Sequence, residues 1–129
     1  MTVLTLFIVD DYLLTRFANK RLFEGDENFK ILGDFTNAKD CIKALDEIVP
    51  DIILMDLELP DINGIEAAKI ISEKYPKTKV IILTSYEDDA KVLASLSQGV
   101  CAYIIKGKTD IKKVIKIVAQ GGCWIDLEL

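Results

Sequence analysis

Five polar side chains stand at the ends of short apolar runs in this chain of 129 residues: Asp10, Asp11, Asp56, Thr84 and Lys106. The run before Asp56 is the clearest, because Ile52–Met55 (IILM) is continuously apolar and is typical of a buried strand. An ionised carboxylate beside such a strand costs several kcal/mol to desolvate unless another group compensates its charge. Carboxylates, a hydroxyl and an ammonium group at these positions therefore indicate a site that handles charge.

If the three carboxylates lie together, they must either take up protons or hold a cation. Two unit charges about 4 Å apart repel each other by roughly 4 kcal/mol at an effective dielectric of about 20. Lys106 carries a single positive charge and cannot neutralise all three carboxylates. Oxygen ligands that leave coordination positions for water suit Mg²⁺. We therefore predict that a divalent ion (Mg²⁺ or Mn²⁺) neutralises the remaining negative charge of the carboxylates.

The elements that must position these residues alternate along the chain. β-Branched and apolar runs predict five strands, at Val3–Val9, Phe29–Phe35, Ile52–Met55, Val80–Leu83 and Cys101–Ile105. Apolar residues with helical spacing predict five intervening helices: Leu14, Phe17, Ala18 and Leu22; Ile42, Leu45 and Ile48; Ile65, Ala68 and Ile71; Leu93 and Leu96; and Ile111, Val114, Ile115 and Val118. Asn63 with Glu66 predicts the start of the third helix, and Thr109 is expected to cap the fifth.

Strands that are apolar almost throughout belong in a parallel sheet that is covered on both faces. Five strand–helix units therefore predict one doubly wound α/β domain over residues 1–129. The carboxyl ends of parallel strands lie on one edge of the sheet, where open α/β folds bind their ligands. The five polar residues are accordingly expected to converge on one pocket.

Composition excludes several function classes. The chain has no histidine, which removes a histidine base and the commonest zinc ligand. A formal net charge of −5 argues against nucleic-acid binding by this segment. The three cysteines lack the spacing of a disulfide framework, and neither a signal peptide nor an apolar run of about 20 residues is present. A cytoplasmic protein without a membrane span is therefore expected.

Taken together, the motifs resemble the receiver domains of two-component response regulators. The matching segments are Val9-Asp10-Asp11, Asp56-Leu57-Glu58-Leu59-Pro60 with Asn63-Gly64, Leu83-Thr84-Ser85 and Tyr103-Ile104-Ile105-Lys106, in an alignable region from Leu6 to about Gly122. The resemblance implies a flavodoxin-like receiver fold, with a five-stranded sheet of order 2-1-3-4-5 and five helices. It also implies a signalling switch rather than an enzyme, a phosphoacceptor that assists its own phosphorylation and autodephosphorylation.

The resemblance assigns roles around the acceptor. Asp56 would accept the phosphoryl group. Asp11, Asp56 and the backbone carbonyl of Glu58 would hold Mg²⁺ directly, and Asp10 would act mainly through a bound water. Lys106 would pair with the phosphoryl group.

Two further pairs of residues concern switching and signal lifetime. By resemblance, Thr84 would hydrogen-bond the phosphoryl group once it has formed, and Tyr103 would be the switch aromatic that turns inward as Thr84 moves. Glu58 and Tyr86 are expected to flank the path of the water that attacks the acyl phosphate. The ring of Tyr86 is expected to shield that bond, so hydrolysis should be slower than in Tyr86→Ala, whereas Glu58 would either orient the water or repel it.

The resemblance extends to partners. Ile111–Trp124 (IKKVIKIVAQGGCW) and Asp26–Asp34 (DENFKILGD) resemble the NarL/LuxR-type subfamily, whose receivers are fused to helix-turn-helix domains that regulate transcription. On that interpretation any C-terminal output domain is absent from this chain, which ends about where a linker would begin; otherwise the chain is a complete single-domain receiver. The implied donor is a phosphohistidine on a sensor histidine kinase or a phosphotransfer protein, and homodimerisation is a further expectation.

Three alternatives remain open at this point. A receiver-like interaction module would work without phosphorylation. A small Mg²⁺-dependent phosphatase of the haloacid dehalogenase type also uses a strand-end aspartate, but it normally carries a second aspartate where this chain has Glu58. A flavodoxin-like cofactor binder would need a phosphate-cradling loop after the first strand, where this chain has Asp10 and Asp11.

Overall fold

The computed structural model describes residues 2–85 and 99–126. Its centre is a parallel sheet of six strands: β1 (Leu4–Val9), β2 (Phe29–Phe35), β3 (Ile52–Asp56), β4 (Lys79–Thr84), β5 (Val100–Ile105) and β6 (Trp124–Ile125). The described helices are α1 (Leu13–Phe23), α2 (Ala38–Ala44), α3 (Gly64–Lys74) and α4 (Ile111–Ala119). The strand order is β2-β1-β3-β4-β5-β6, which confirms the doubly wound α/β class and the predicted order of the first five strands.

The strand count differs from the prediction, because the sheet has six strands rather than five. Residues 124 and 125 form a two-residue strand that pairs in parallel with Ala102 and Tyr103 of β5. Two residues are too few to produce a periodic pattern in a sequence. The helix predicted around Leu93 and Leu96 lies outside the described residues. None of the helices described is both long enough and apolar enough to cross a bilayer.

Two apolar clusters cover the two faces of the sheet. On one face Phe7, Ile53 and Met55 pack with buried residues of α2 and α3. On the other, Ile52 and Leu54 pack with buried residues of α4. Because successive strand residues point to opposite faces, a continuous apolar run fills both layers. This explains why the central strands show no alternation.

Helix α1 departs from the expected orientation. The helix lies where the spacing of Leu14, Phe17, Ala18 and Leu22 predicted it, but all four residues are exposed. The exposed fraction is 65% for Leu14 and 56% for Phe17. The buried residue of α1 is Phe23, the last residue of the helix. An apolar stripe that faces solvent indicates a surface for an interaction rather than part of the core.

Helix capping was predicted correctly in one of two places. The Asn63 side chain accepts a hydrogen bond from the Glu66 backbone N–H at 2.9 Å and caps α3, as expected. Helix α4 is capped by Asp110, which accepts from the Lys112 backbone N–H at 3.1 Å. The prediction that Thr109 caps this helix was wrong, because the Thr109 hydroxyl donates its hydrogen bond to the Asp126 carboxylate.

Candidate functional site

Strand register brings the predicted residues to one edge of the sheet. Val9 is paired with Met55, Asp56 with Leu83, and Thr84 with Ile105. Asp10 directly follows the end of β1, Asp56 and Thr84 end β3 and β4, and Lys106 directly follows the end of β5. These four residues therefore lie within two residues of one another in register, at the same edge of four neighbouring strands, as the topology of a parallel sheet predicts.

The ammonium group of Lys106 lies between two carboxylates. Its Nζ is 3.3 Å from Asp56 Oδ1 and 3.4 Å from Asp10 Oδ2. The Asp10 side chain is 2% exposed and the Asp56 side chain 14% exposed. Water is largely excluded from Asp10, so protein groups serve as its polar partners. These groups include the Tyr12 backbone N–H, which donates to Asp10 Oδ1 at 2.9 Å.

Asp11 completes a cluster of three carboxylates. Asp10, Asp11 and Asp56 each offer an oxygen atom, and these atoms lie within 4.8 Å of one another. Burial raises the pKa of the Asp56 carboxyl; Lys106 lowers it, and the charges of Asp10 and Asp11 raise it further. One lysine thus leaves negative charge unbalanced. An oxygen-only donor set of this kind, open to solvent at Asp11, fits a hard divalent cation such as Mg²⁺.

The backbone holds the end of β3 against its neighbours. The Leu57 N–H donates to Leu83 O at 2.9 Å, and the Gly64 N–H donates to Leu57 O at 2.8 Å. A Cβ atom at Gly64 would lie 2.5 Å from the backbone oxygen of Asp56, closer than real Cβ contacts come. Only glycine therefore lets the start of α3 approach the end of β3 at this distance.

Two side chains that support this edge were missed from the sequence. The Arg16 guanidinium donates to the backbone oxygen of Asp10 at 2.9 Å. Asp61, in the loop after β3, accepts from the backbone N–H groups of Ala38 at 3.1 Å and Lys39 at 2.8 Å, which ties that loop to the start of α2. Burial opposes ionisation of Asp61, but these backbone donors outweigh it and lower its pKa.

A third missed residue, Asp126, lies beside the loop that carries Lys106. Its carboxylate accepts hydrogen bonds from the Ile105 backbone N–H at 3.0 Å and from the Thr109 hydroxyl at 2.7 Å. The bond from Thr109 explains why Thr109 does not cap α4. No local pattern could have revealed this contact, because Asp126 is 21 residues from Ile105 along the chain.

Thr84 and Tyr103, the predicted switch residues, are both buried in neighbouring strands. Thr84 is 1% exposed and ends β4, where its backbone oxygen accepts from the Lys106 N–H at 2.7 Å. Tyr103 is fully buried in β5 and belongs to the cluster that packs on α2 and α3. Its ring therefore already occupies an inward position.

The residues expected to set signal lifetime are only partly described. Glu58 is exposed and lines a cavity of about 260 Å³ together with Leu57, Leu59, Asn63 and Ile65. Tyr86 lies outside the described residues, so its shielding role stays a prediction. The role of the Glu58 backbone carbonyl as a metal ligand also stays a prediction.

Comparison with known proteins agrees with this geometry. The model of the response regulator receiver domain family matches residues 6–119. The transcriptional regulatory protein DegU of Brevibacillus brevis is 32% identical over 120 residues, which cover 92% of this chain and 51% of DegU. The transcriptional regulatory protein YdfI of Bacillus subtilis (strain 168) is 41% identical over 99 residues, which cover 77% of this chain and 46% of YdfI.

A solved structure supports the same family. A two-component response regulator of the LuxR family from Aurantimonas sp. SI85-9A1 superposes with a TM-score of 0.89 at 25% identity, covering 95% of this chain and 89% of that one. The likeness to receivers of the LuxR type is thus confirmed. The chain spans about half the length of the two curated relatives, at 51% and 46%.

Proposed function

Because the chain belongs to the response regulator receiver domain family, we propose that it is a phosphorylation-activated switch of a two-component system with Asp56 as phosphoacceptor. The observation that carries the proposal is the position of the Lys106 ammonium group between Asp10 and Asp56. This arrangement combines a half-buried carboxylate oxygen of Asp56, which can act as a nucleophile, with the Lys106 ammonium group, which can stabilise negative charge on an incoming phosphoryl group. The sequence-based prediction of the site rests on the same residues.

The proposed reaction forms one bond and breaks one bond. An Asp56 carboxylate oxygen attacks phosphorus in line, and the bond between phosphorus and the donor's leaving group breaks, with its electron pair going to the leaving group. Charge then spreads over the equatorial oxygens of the phosphoryl group. Lys106 lies close enough to pair with one of them, and the strand end keeps Asp56 from moving, so positioning and electrostatics supply most of the rate.

The metal ion proposed for this site is Mg²⁺, or Mn²⁺ in its place. Asp11, Asp56 and the Glu58 backbone carbonyl would hold it directly, and Asp10 through water. When bound, it would neutralise negative charge on the carboxylates and on the phosphoryl oxygens. The cluster of carboxylate oxygens within 4.8 Å supports this assignment. Burial is the main cause of the raised pKa of Asp56, and the charges of Asp10 and Asp11 raise this pKa further while Lys106 lowers it, so a second cation would be favoured beside the lysine.

Switching is proposed to depend on Thr84 and Tyr103. A phosphoryl group on Asp56 adds close to two negative charges and three acceptor oxygens. The Thr84 hydroxyl would turn toward those oxygens, and Tyr103 would hold the inward position that its ring already has. Autodephosphorylation, tuned by Glu58 and Tyr86, would return the protein to its resting state.

Helix α1 is the proposed docking surface for the phosphoryl donor. Its exposed apolar residues Leu13, Leu14 and Phe17, together with Tyr12, begin directly after the carboxylate pair Asp10-Asp11. A protein that delivers a phosphoryl group to Asp56 must approach this edge of the sheet. These 129 residues contain no histidine, so a phosphohistidine donor must lie outside them, and we infer that it belongs to a sensor histidine kinase or a phosphotransfer protein.

The proposed output is regulation of transcription from the cytoplasm. DegU and YdfI are named as transcriptional regulators, and this chain matches about half of each, 51% and 46%. We infer that residues 1–129 form a single receiver domain and that a helix-turn-helix output domain accompanies it in the full-length protein, where homodimerisation would follow phosphorylation. The three cysteines are free thiols, which supports a reducing compartment.

Intact-mass measurement after treatment with acetyl phosphate and Mg²⁺ tests the proposal. The parent should gain the mass of one phosphoryl group, and Asp56→Asn should gain none. An unchanged parent mass would favour an interaction module that works without phosphorylation. Continuous turnover of a phosphate ester would favour a phosphatase instead.

A further inference from the structure

Asp126 is a buried carboxylate that lies outside the cluster of Asp10, Asp11 and Asp56. It is 8% exposed, and its oxygens accept from the Ile105 backbone N–H, the Thr109 hydroxyl and the Trp124 indole N–H, at 3.0, 2.7 and 2.8 Å. Burial opposes ionisation of Asp126, but these donors outweigh it and lower its pKa. Such a set of charge-assisted bonds is strong and directional. The Asp126 side chain therefore holds Ile105, Thr109 and Trp124 in place relative to one another.

Two of these donors flank Lys106. Ile105 directly precedes the lysine, and Thr109 follows it by three residues. Between them Gly107 has a φ of +79°, and the Lys108 N–H donates to Ile105 O at 3.2 Å, so the loop is a tight turn. One carboxylate thus holds both ends of the turn from which the Lys106 side chain extends.

The backbone around Asp126 fixes the same strand. The Asp126 N–H donates to Tyr103 O at 2.9 Å, and β6 pairs with β5 at Ala102 and Tyr103. The Lys106 Nζ contacts to Asp56 and Asp10 are already 3.3 and 3.4 Å long. A displacement of the turn that carries Lys106 would lengthen both distances and weaken the attraction between its ammonium group and the two carboxylates.

We propose that Asp126 is a positioning residue for Lys106, through which residues 124–126 set the rate at which Asp56 is phosphorylated. This inference rests on the proposed function, because the rate exists only if Asp56 is a phosphoacceptor. It extends the site to residues 124–126, which follow α4 and lie outside the cluster of Asp10, Asp11 and Asp56.

Asp126→Ala and Asp110→Ala form a matched pair of variants. Both remove a carboxylate that accepts backbone N–H bonds next to α4, but Asp110 bonds Lys112 and Lys113 and leaves the Lys106 turn untouched. In metal-free protein, amide hydrogen exchange at Ile105 should be about tenfold faster in Asp126→Ala and unchanged in Asp110→Ala. With acetyl phosphate and Mg²⁺, phosphorylation should slow about tenfold in Asp126→Ala only. Its Kd for Mg²⁺ should stay within about twofold of the parent value, since the carboxylate ligands are unchanged.

A double-mutant cycle separates positioning from general loosening of the fold. If Asp126 acts through Lys106, Asp126→Ala should add nothing to the slower phosphorylation of Lys106→Ala. Equal slowing in both backgrounds, or a parent rate in Asp126→Ala, would overturn the inference and leave the proposed function intact. Should Asp126→Ala not fold, Thr109→Val removes one hydroxyl donor and should slow phosphorylation in the same Lys106-dependent way. A parent that gains no phosphoryl group would overturn the proposed function itself, and the inference with it.

Discussion

At the scale of single residues, the site is a problem of charge balance. Three carboxylates meet one lysine, and one of them, the proposed phosphoacceptor Asp56, is half-buried at the end of a central strand. Burial and neighbouring charge raise its pKa, so the ionised form of Asp56 is less favourable in the folded protein than in the unfolded chain. The ionised side chain of the proposed phosphoacceptor therefore costs stability at neutral pH.

Removing this charge should stabilise the protein. In metal-free buffer at pH 7, Asp56→Asn should raise Tm by a few degrees. Because the folded pKa of Asp56 lies above the unfolded value of about 3.8, the cost of ionisation is fully present above the folded pKa and disappears below the unfolded one. The gain in Tm should thus shrink as the pH falls toward 4. Thermal unfolding of both proteins across this pH range measures the effect.

Asp61→Asn is the control of opposite sign. The pKa of Asp61 is lowered, so its ionised form contributes stability that is present above the unfolded pKa and lost as the pH falls through the folded one. This variant should lower Tm at pH 7, and the loss should fade in acid. A stabilising effect of Asp56→Asn that does not depend on pH would contradict the charge argument.

Lys106→Ala separates phosphoryl transfer from metal binding. The ammonium group lies 3.3 Å from Asp56 Oδ1, so its loss removes a cation from the acceptor and should slow phosphorylation by acetyl phosphate about a hundredfold. Mg²⁺ should bind at least as tightly, because the site loses a competing positive charge. Lys69→Ala, at an exposed position of α3, should change neither quantity. Weaker Mg²⁺ binding by Lys106→Ala would argue that the lysine shapes the metal site instead.

At the scale of elements, close packing of α3 on β3 holds the strand end that carries Asp56. Gly64→Ala would place a Cβ atom 2.5 Å from the Asp56 backbone oxygen, so the start of α3 must move away. We expect a loss of about 1–3 kcal/mol in the free energy of unfolding and a lower phosphorylation rate. Denaturant unfolding and intact-mass kinetics measure the two effects.

Gly25→Ala provides the comparison for Gly64→Ala. Gly25 has a φ of +75° and open space around its missing Cβ, far along the chain from the acceptor. Its substitution should cost stability through backbone strain alone, about 1–2 kcal/mol, with an unchanged phosphorylation rate. A normal rate in Gly64→Ala would show that the acceptor tolerates movement of α3.

The sequence predicted what depends on local pattern and on topology. Apolar runs located the strands, and the shared edge of a parallel sheet brought Asp10, Asp56 and Lys106 together before any distance was known. It did not predict the contacts of Asp61 and Asp126, whose backbone partners lie 22 to 23 and 21 residues away. Such contacts depend on how loops that are distant along the chain pack together, and the periodicity of apolar residues gives no information about that packing.

At the scale of the whole molecule, the two edges of the sheet at which the strands begin and end carry different groups. The acceptor edge carries the carboxylates, Lys106 and the exposed apolar start of α1, whereas the opposite edge carries exposed Ile48 and Val49 before β3. Both edges expose apolar side chains, and among the described residues those at the start of α1 directly follow the carboxylate pair Asp10-Asp11. Exposure alone therefore does not identify a docking surface, and the proposal for α1 rests on its start directly after Asp10 and Asp11.

Leu14→Asp tests whether α1 receives the phosphoryl donor. Leu14 is exposed, so the substitution should leave Tm and phosphorylation by acetyl phosphate close to parent values. Transfer from a phosphorylated sensor-kinase domain, chosen from a panel as the one most active on the parent, should slow about tenfold, because a charge replaces an apolar contact. Val49→Asp introduces the same charge on the opposite edge and should leave both rates unchanged. If Leu14→Asp accepts phosphate from the kinase at the parent rate, the donor approaches Asp56 by another route and the exposed stripe of α1 serves a different partner.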